Sequence, residues 1–548
     1  MKPSLAVDQQ GIGSSRRKKN FLHKTAKSVS EIQSNVNNLA DVLVFLEVLG
    51  YNAKMVRDYG FKDMRELARH VYEVIDYYNS RTVRASQPLF YRVPGVPRRL
   101  IEGLALAAPW LMMLPLVFVF GISLWMDWHL PPPLMTSLAL GVLVGMVMSE
   151  GPVWLFSRLL LFHHSQSNVA ETRRVIKRSY AVFALVLAST VTMILASSAV
   201  LKIPYQLAVV AVVGAATMST HRFSFTVVYT LRKIVLSVIA YGAAFAVLLS
   251  LYLLAPSLIP DQGARYLISL GAAFSVLTVA AAYCTRKAFT PSPAKDNVEK
   301  PNFFKPLFIN TKTLHSSFAV QLWENAPYYI YGTFFIVMLF GDRILSWFYN
   351  PVHIVDGLAL PLVFNPAYHM GADIALFVVF PIGLVQYIMV GHVFELLNNV
   401  SLETSSTDPG AMDRFIRRRY IQTLAVSVTI SGLIAALLIL QAPSLMGLLG
   451  ATPVSTNILR IAAVSNVFLA VFTANGSFVM LLNRAKALAA IAVVGALTVG
   501  VGGTILGQLG FQDIVFAYLC SCIAAAGLSS FELRRLMRKP ANLFLARF

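Results

Sequence analysis

The sequence predicts an all-α polytopic membrane protein: about twelve transmembrane helices in two six-helix lobes, behind a small N-terminal cytoplasmic α-helical extension. Three observations carry this. Of 548 residues, 56% are hydrophobic and only 13% charged, where a soluble domain carries about 25% charged residues. From residue 101 onward the apolar residues gather into runs, and a helix needs about 20 apolar residues to cross a bilayer. The basic residues then fall between alternate runs, as the positive-inside rule requires of a multi-pass chain.

The elements follow in order. Residues 1–29 form a basic arm, with Arg16, Arg17, Lys18 and Lys19 in one run and Lys24 and Lys27 after it; a disordered, lipid-facing tail is expected. It has no apolar core, so no signal peptide is expected, and the run near residue 103 acts as an uncleaved anchor. Residues 30–98 read as a small cytoplasmic helical domain and linker. Leu39, Val42, Leu43, Leu46 and Leu49 recur at helical spacing, Gly50-Tyr51-Asn52 makes a turn, and Met64, Leu67, Val71 and Val74 mark a second amphipathic helix. So few short helices bury little surface, and packing on the membrane body or a partner is expected.

Twelve apolar segments follow at approximately 101–127, 131–162, 179–201, 205–230, 234–259, 266–285, 317–349, 370–397, 420–441, 457–483, 485–507 and 514–532. With a cytoplasmic N-terminus, the inside loops and tail hold Arg173, Arg174, Lys177 and Arg178; Arg222, Arg232 and Lys233; Arg286, Lys287, Lys295, Lys300, Lys305 and Lys312; Arg414, Arg417, Arg418 and Arg419; Arg484 and Lys486; and Arg534, Arg535, Arg538, Lys539 and Arg547. The outside loops hold only Lys202 and Arg265. One missed or extra helix would reverse every later loop and destroy that asymmetry, so both ends are expected inside. The basic loop 288–316 divides a first lobe, 99–287, from a second, 317–535, and residues 536–548 form a basic tail. Equal helix numbers on either side of a central loop suit a two-lobe transporter.

The formal charge of +20 is explained by topology, and no nucleic-acid partner is expected. Cys284, Cys520 and Cys522 have neither disulfide nor metal spacing. No phosphate loop, HExxH or CxxC is present, so no enzyme activity, cofactor or metal is expected.

What remains is charge and proline inside the apolar runs. A charge in hydrocarbon costs about 2.5–3.5 kcal/mol on insertion scales, so it faces protein or water. The cavity and transport candidates are Asp342, Arg343, Glu150, Arg158 and Glu324. Glu150 and Arg158 lie near two helical turns apart, with snorkelling the plainer role for Arg158. Asp342 and Arg343 are adjacent, point about 100° apart and are expected not to share a face; Arg343 either meets its own partner or reaches the outer headgroups. Glu324 and Glu395 fall near cytoplasmic ends, where solvation is the plainer reading. The helix-kink candidates are Pro109, Pro152, Pro327 and Pro381, each removing a helix hydrogen bond. Gly495, Gly500, Gly502, Gly503, Gly507 and Gly510 in and after segment 11 allow close helix packing.

Several of these stretches share an order that resembles a known family. GLALAAPWLMMLP (103–115) carries Pro109 and Trp110; EGPVWLFSRLL (150–160) carries Gly151, Pro152 and Arg158; FGDRILSWF (340–348) carries Asp342, Arg343, Trp347 and Phe348; FNPAYHMGADIALFVVFPIGL (364–384) carries Asn365, Pro366, Tyr368 and Pro381. Over roughly 101–535 the chain is similar to the Pel exopolysaccharide transporters, a branch of the multidrug/oligosaccharidyl-lipid/polysaccharide exporter superfamily. It departs from them at Ala108, at His369, where aspartate is common, and in residues 1–100. The resemblance implies a two-lobe inner-membrane carrier that hands polysaccharide across the bilayer beside a cytoplasmic glycosyltransferase and other membrane subunits. A lipid-linked oligosaccharide flippase, an ion-coupled drug exporter and a non-transporting scaffold of a synthase remain alternatives.

Overall fold

The structure is a computed structural model of the full chain. It describes residues 20–26, 28–29, 39–85, 103–104, 120–121, 130–165, 169–231, 233–254, 257–289, 318–355, 358–403, 409–540 and 543. Of the arm expected to be disordered over 1–29, residues 20–26 and 28–29 are instead helical, with Ala26 and Val29 buried. Residues 1–19, most of the first apolar segment with Pro109, and 290–316 of the expected loop 288–316 lie outside the described residues.

The chain divides into two units, residues 1–95 with 392–411, and the remainder. In the first, helices α1 (Leu39–Val48), α2 (Ala53–Asp58) and α3 (Met64–Ala85) enclose Val42, Leu46, Val56, Leu67 and Val71, all 0% exposed. The short α2 exists because Asn52 is a helix cap, its Oδ1 accepting from the backbone N–H of Lys54 and Met55 at 3.1 and 2.9 Å. Periodicity alone does not register so short a helix.

The second unit is a bundle. Its first lobe holds α4 (Pro132–Ser165), α5 (Val169–Val200), α6 (Tyr205–Thr230), α7 (Ile234–Leu254) and α8 (Gln262–Phe289). Its second holds α9 (Phe318–Phe348), α10 (Pro366–Ala375), α11 (Phe380–Glu403) up to residue 391, α12 (Pro409–Leu448) from residue 412, α13 (Pro453–Leu481), α14 (Ala485–Gly507) and α15 (Ile514–Leu536). Among the described residues, ten stretches are helical, long and apolar enough to span; α6, with His221 and Arg222, is a further 26-residue bundle helix. Within the apolar window of α4, 67% is buried, against 11% in α5. Thus α4 lies at the centre and α5 at the edge, where Leu185 and Leu195 face outward into the hydrocarbon.

Small residues set the tightest contacts. A Cβ on Gly141 would lie 2.0 Å from the Ala211 carbonyl oxygen, and one on Gly145 2.7 Å from that of Ala215. This GxxxG pair lets α4 and α6 meet backbone to backbone, and Ser219 Oγ donates to the Gly145 carbonyl at 3.2 Å. On α14, Gly495, Gly503 and Gly507 admit Met338, Leu345 and Tyr349 of the α9 side in the same way.

The stretch expected to be one helix over 370–397 is broken. α10 ends at Ala375, a 3₁₀ turn spans Leu376–Val378, and α11 begins at Phe380. Pro381 has no N–H for the Phe377 carbonyl, and its ring crowds that position, so the α-helix cannot run through. Pro152 and Pro327, by contrast, sit inside α4 and α9 without ending them.

Candidate functional site

A buried polar network is built around the break. Asn365 starts α10 as its cap, Oδ1 accepting from Tyr368 N–H at 3.1 Å, and Pro366 occupies the first turn where no donor is lost. On α9, Arg343 is 1% exposed. Its Nε donates to Asp373 Oδ1 at 2.8 Å, Nη1 to the Leu339 carbonyl at 2.9 Å and Asp342 Oδ1 at 3.0 Å, and Nη2 to the Ala372 carbonyl at 3.0 Å. Tyr368 donates its hydroxyl to Asp342 Oδ2 at 2.8 Å.

Two contacts, one from Arg343 and one from Asn466, repair the backbone. The Leu376 N–H turns to Asp373 and Ile374, leaving the Ala372 carbonyl to Arg343. The Val379 N–H turns to Leu376, leaving the Ala375 carbonyl to Asn466 Nδ2 of α13 at 2.7 Å. Tyr518 of α15 then donates to Asn466 Oδ1 at 2.6 Å. An unsatisfied backbone group in hydrocarbon costs several kcal/mol, so a broken helix persists where neighbours supply such partners.

His369 extends the network to the connector between α9 and α10. Trp347 Nε1 lies 2.8 Å from His369 Nε2, and His369 Nδ1 lies 3.1 Å from Asp373 Oδ2. An indole N–H only donates, so Nε2 accepts and the single ring proton sits on Nδ1, donating to Asp373. The neutral ring stacks between Trp347 and Phe364, with centroids at 5.4 and 4.4 Å. The connector holds a two-residue hairpin, β1 (Ile354–Val355) with β2 (Leu358–Ala359). Its far end crosses to the first lobe. Phe364 N–H donates to Thr136 Oγ1 of α4 at 2.9 Å. Leu360 and Val363 pack on Leu207 of α6, and Trp347 and Phe364 enter the first lobe's apolar core.

A second cluster lies farther along α4. Arg222 of α6 grips Glu150 with both arms, Nε to Oε2 at 2.9 Å and Nη2 to Oε1 at 2.6 Å. Trp154, one turn on, donates to Oε1 at 3.0 Å. This face meets α9 closely: Trp154 packs edge-on against Tyr331 at 5.1 Å, and a Cβ on Gly332 would lie 2.8 Å from the Glu150 carbonyl oxygen. Arg158 lies 5.6 Å above the Tyr328 ring. The lobes therefore touch at two levels, through this face and through the connector.

Solved structures of low sequence identity share this architecture. An outward-facing multidrug resistance MATE family transporter of the MOP superfamily aligns over 82% of this chain and 98% of its own, with TM-score 0.56 and 12% identity. A MATE in the bent conformation covers 82% and 96%, with TM-score 0.54 and 12% identity. The MATE transporter ClbM in complex with Rb⁺ covers 82% and 98%, with TM-score 0.54 and 11% identity. The fold is MATE-like. No family model and no curated protein matches the chain.

In this MATE-like fold the residues singled out by sequence fall in different places. Asp342 and Arg343 are buried in the network, at 0% and 1% exposure. They do touch, because the long guanidinium arm turns back on its neighbour, and Arg343 does not reach the headgroups. Glu150 is buried, but its partner is Arg222, which belongs inside α6 and not to a loop. Arg158 is half-buried over an aromatic ring, and Glu324 is exposed near the start of α9.

Sequence reasoning missed Asp373, Arg222 and Asn466. Asp373 stands four residues after His369 in an apolar run, a spacing that puts both on one helix face. Arg222 follows His221 in mid-segment, a polar pair that no loop requires. Asn466 carried no signal, since a lone asparagine in a span announces neither partner nor purpose. Among the described residues, no group of three or more His, Cys, Asp and Glu is placed to hold a metal.

Proposed function

We propose that the protein is a membrane transporter that exports an exopolysaccharide across a bacterial cytoplasmic membrane by alternating or gated opening of its two lobes. The observation behind the reading is the convergence of FGDRILSWF and FNPAYH, the stretches that resemble the Pel transporters, on one network. That network joins the first helix of the second lobe to its broken neighbour. Asp342 and Arg343 are almost wholly enclosed, so in this reading they shape the lobe and do not bind cargo. The polymer would pass between the α4 and α9 faces, and Glu150, Arg158 and Arg222 would border its route. Both termini would be cytoplasmic, with residues 1–100 docking a glycosyltransferase or another membrane subunit.

The test is complementation of a deletion strain, scoring secreted polymer and sensitivity to cationic drugs side by side. Restored secretion with unchanged drug sensitivity supports the proposal. Unchanged secretion with a changed drug profile selects the second reading, a drug exporter, which the multidrug MATE neighbours favour. Accumulation of lipid-linked sugar on the inner leaflet selects a flippase. Loss of partner co-purification alone selects a scaffold.

A further inference from the structure

Where α4 of the first lobe passes α9 of the second, each helix carries a glycine at the crossing, and each glycine makes a notch for a side chain of the other lobe. A Cβ on Gly332 would lie 2.5 Å from Trp154 Cδ1, so the indole of α4 is seated against bare α9 backbone. A Cβ on Gly151 would run into Thr333 Oγ1 and lie 3.0 Å from the Tyr329 ring, so α9 is seated in α4 in return. We infer that this crossing is a lock between the lobes, poised to open: closing it seats Thr333 in the Gly151 notch and strands its hydroxyl, and parting the faces gives that hydroxyl a partner again.

The two notches differ in how their occupants are satisfied. The indole of Trp154 is content where it sits, since Nε1 donates to Glu150 Oε1 at 3.0 Å. Thr333 Oγ1 is buried and has no hydrogen-bond partner among the described residues. Its own helix offers one, because a threonine hydroxyl in a helix can bond the carbonyl four residues back. Thr226 and Thr230 of α6 do so, at 2.6 and 2.7 Å. Thr333 gives up that bond at the crossing, and a buried polar group without a partner costs free energy only while it stays enclosed.

The contacts that hold the lock closed all run from one lobe to the other. Trp154 meets Tyr331 edge-on at 5.1 Å, Arg158 lies 5.6 Å above the Tyr328 ring, and Leu322 of α9 packs on the apolar cluster of α4, α5 and α6. They are therefore lost together when the faces part, and the stranded hydroxyl offsets part of that loss. The lock lies across the route proposed for the polymer. It rests on the two-lobe opening of that reading and not on the cargo.

The experiment uses the full chain in lipid nanodiscs, with spin labels on Leu161→Cys of α4 and Trp323→Cys of α9, both exposed positions. Cys520, the exposed native cysteine, becomes serine. The parent is expected to show a short and a long distance. Gly151→Ala fills a notch, and overpacking should raise the long-to-short ratio by about fivefold or more. Adding Thr333→Ala to Gly151→Ala removes the obstructing hydroxyl and should return the ratio towards the parent's. Thr333→Val keeps the branched shape without the hydroxyl, so it should lower the ratio by about fivefold; this variant tests the lock even where Gly151→Ala fails to fold. Two parental populations that Thr333→Val leaves unshifted, or shifts towards the long distance, overturn the lock alone. A Gly151→Ala protein with the parent's ratio overturns it equally. One short distance in the parent and in every variant overturns the opening of the lobes, and the lock with it.

Discussion

Arg343 and Ala372 are joined by a 3.0 Å hydrogen bond from Nη2 to a carbonyl that its own helix has abandoned. The guanidinium is at once the partner of two carboxylates and a cap for broken backbone. Lysine offers a point charge with no planar fork, so it cannot serve these acceptors together. Arg343→Lys keeps the charge but leaves a buried acceptor such as the Ala372 carbonyl without its donor, and is expected to cost about 1–3 kcal/mol. Thermal unfolding in detergent, at matched expression, measures it; a midpoint equal to the parent's would refute the cap.

The Asn466 amide is tested separately. Asn466→Ala strands the Ala375 carbonyl and leaves the Tyr518 hydroxyl with Cys522 as its partner, and a stranded buried polar group costs about 1–3 kcal/mol. Hydrogen exchange over 372–380 should quicken in this variant while exchange in α4 and α6 stays as it was. Uniform quickening across the bundle would show that the effect is not local to the break.

The α4–α6 contact leaves no room for a side chain at Gly141. Gly141→Val is expected to lower the yield of folded protein sharply, because the obstacle is the Ala211 backbone and not a movable side chain. Gly500 has nothing within 4 Å of an added Cβ. Gly500→Ala should therefore be tolerated, and by helix propensity it gains up to about 1 kcal/mol. Size-exclusion profiles of the two variants decide the point.

Glu150 and Arg222 form a two-armed pair, with side-chain exposures of 6% and 34%. Arg222→Gln leaves the carboxylate enclosed, with only Trp154 as donor. The expected loss is about 3 kcal/mol, the low end for a broken buried pair, because water reaches the arginine. Glu150→Gln with Arg222→Gln should lose less than Arg222→Gln alone. Strictly additive losses in the double-mutant cycle would mean the pair is not coupled.

The reach of the sequence follows from how each feature is encoded. The all-helical class and most of its spans are written in long apolar runs, signals spread over many residues. The role of Pro152 and Pro381 is not separable by sequence: one sits in an intact helix and the other ends a break. The difference lies in whether neighbours such as Arg343 and Asn466 take up the freed carbonyls. Arg343 was conspicuous as a charge, yet its partner Asp373 lies 30 residues away, and pairing at that distance leaves no periodic trace. Arg222 was misplaced because a charge near the end of an apolar run reads as a loop until the helix carrying it is seen to continue to Thr230.

The mended break has a consequence for how the protein is made. The Ala375 carbonyl waits for an amide 91 residues downstream, and that amide is oriented by a hydroxyl a further 52 residues on. When α10 and α11 leave the ribosome, the donor that completes them has not been synthesised. This span enters the membrane incomplete and is finished only when α13 and α15 arrive. A nascent chain that ends before residue 466 therefore lacks the donor that closes the Ala375 carbonyl, and an unsatisfied backbone group in hydrocarbon costs several kcal/mol.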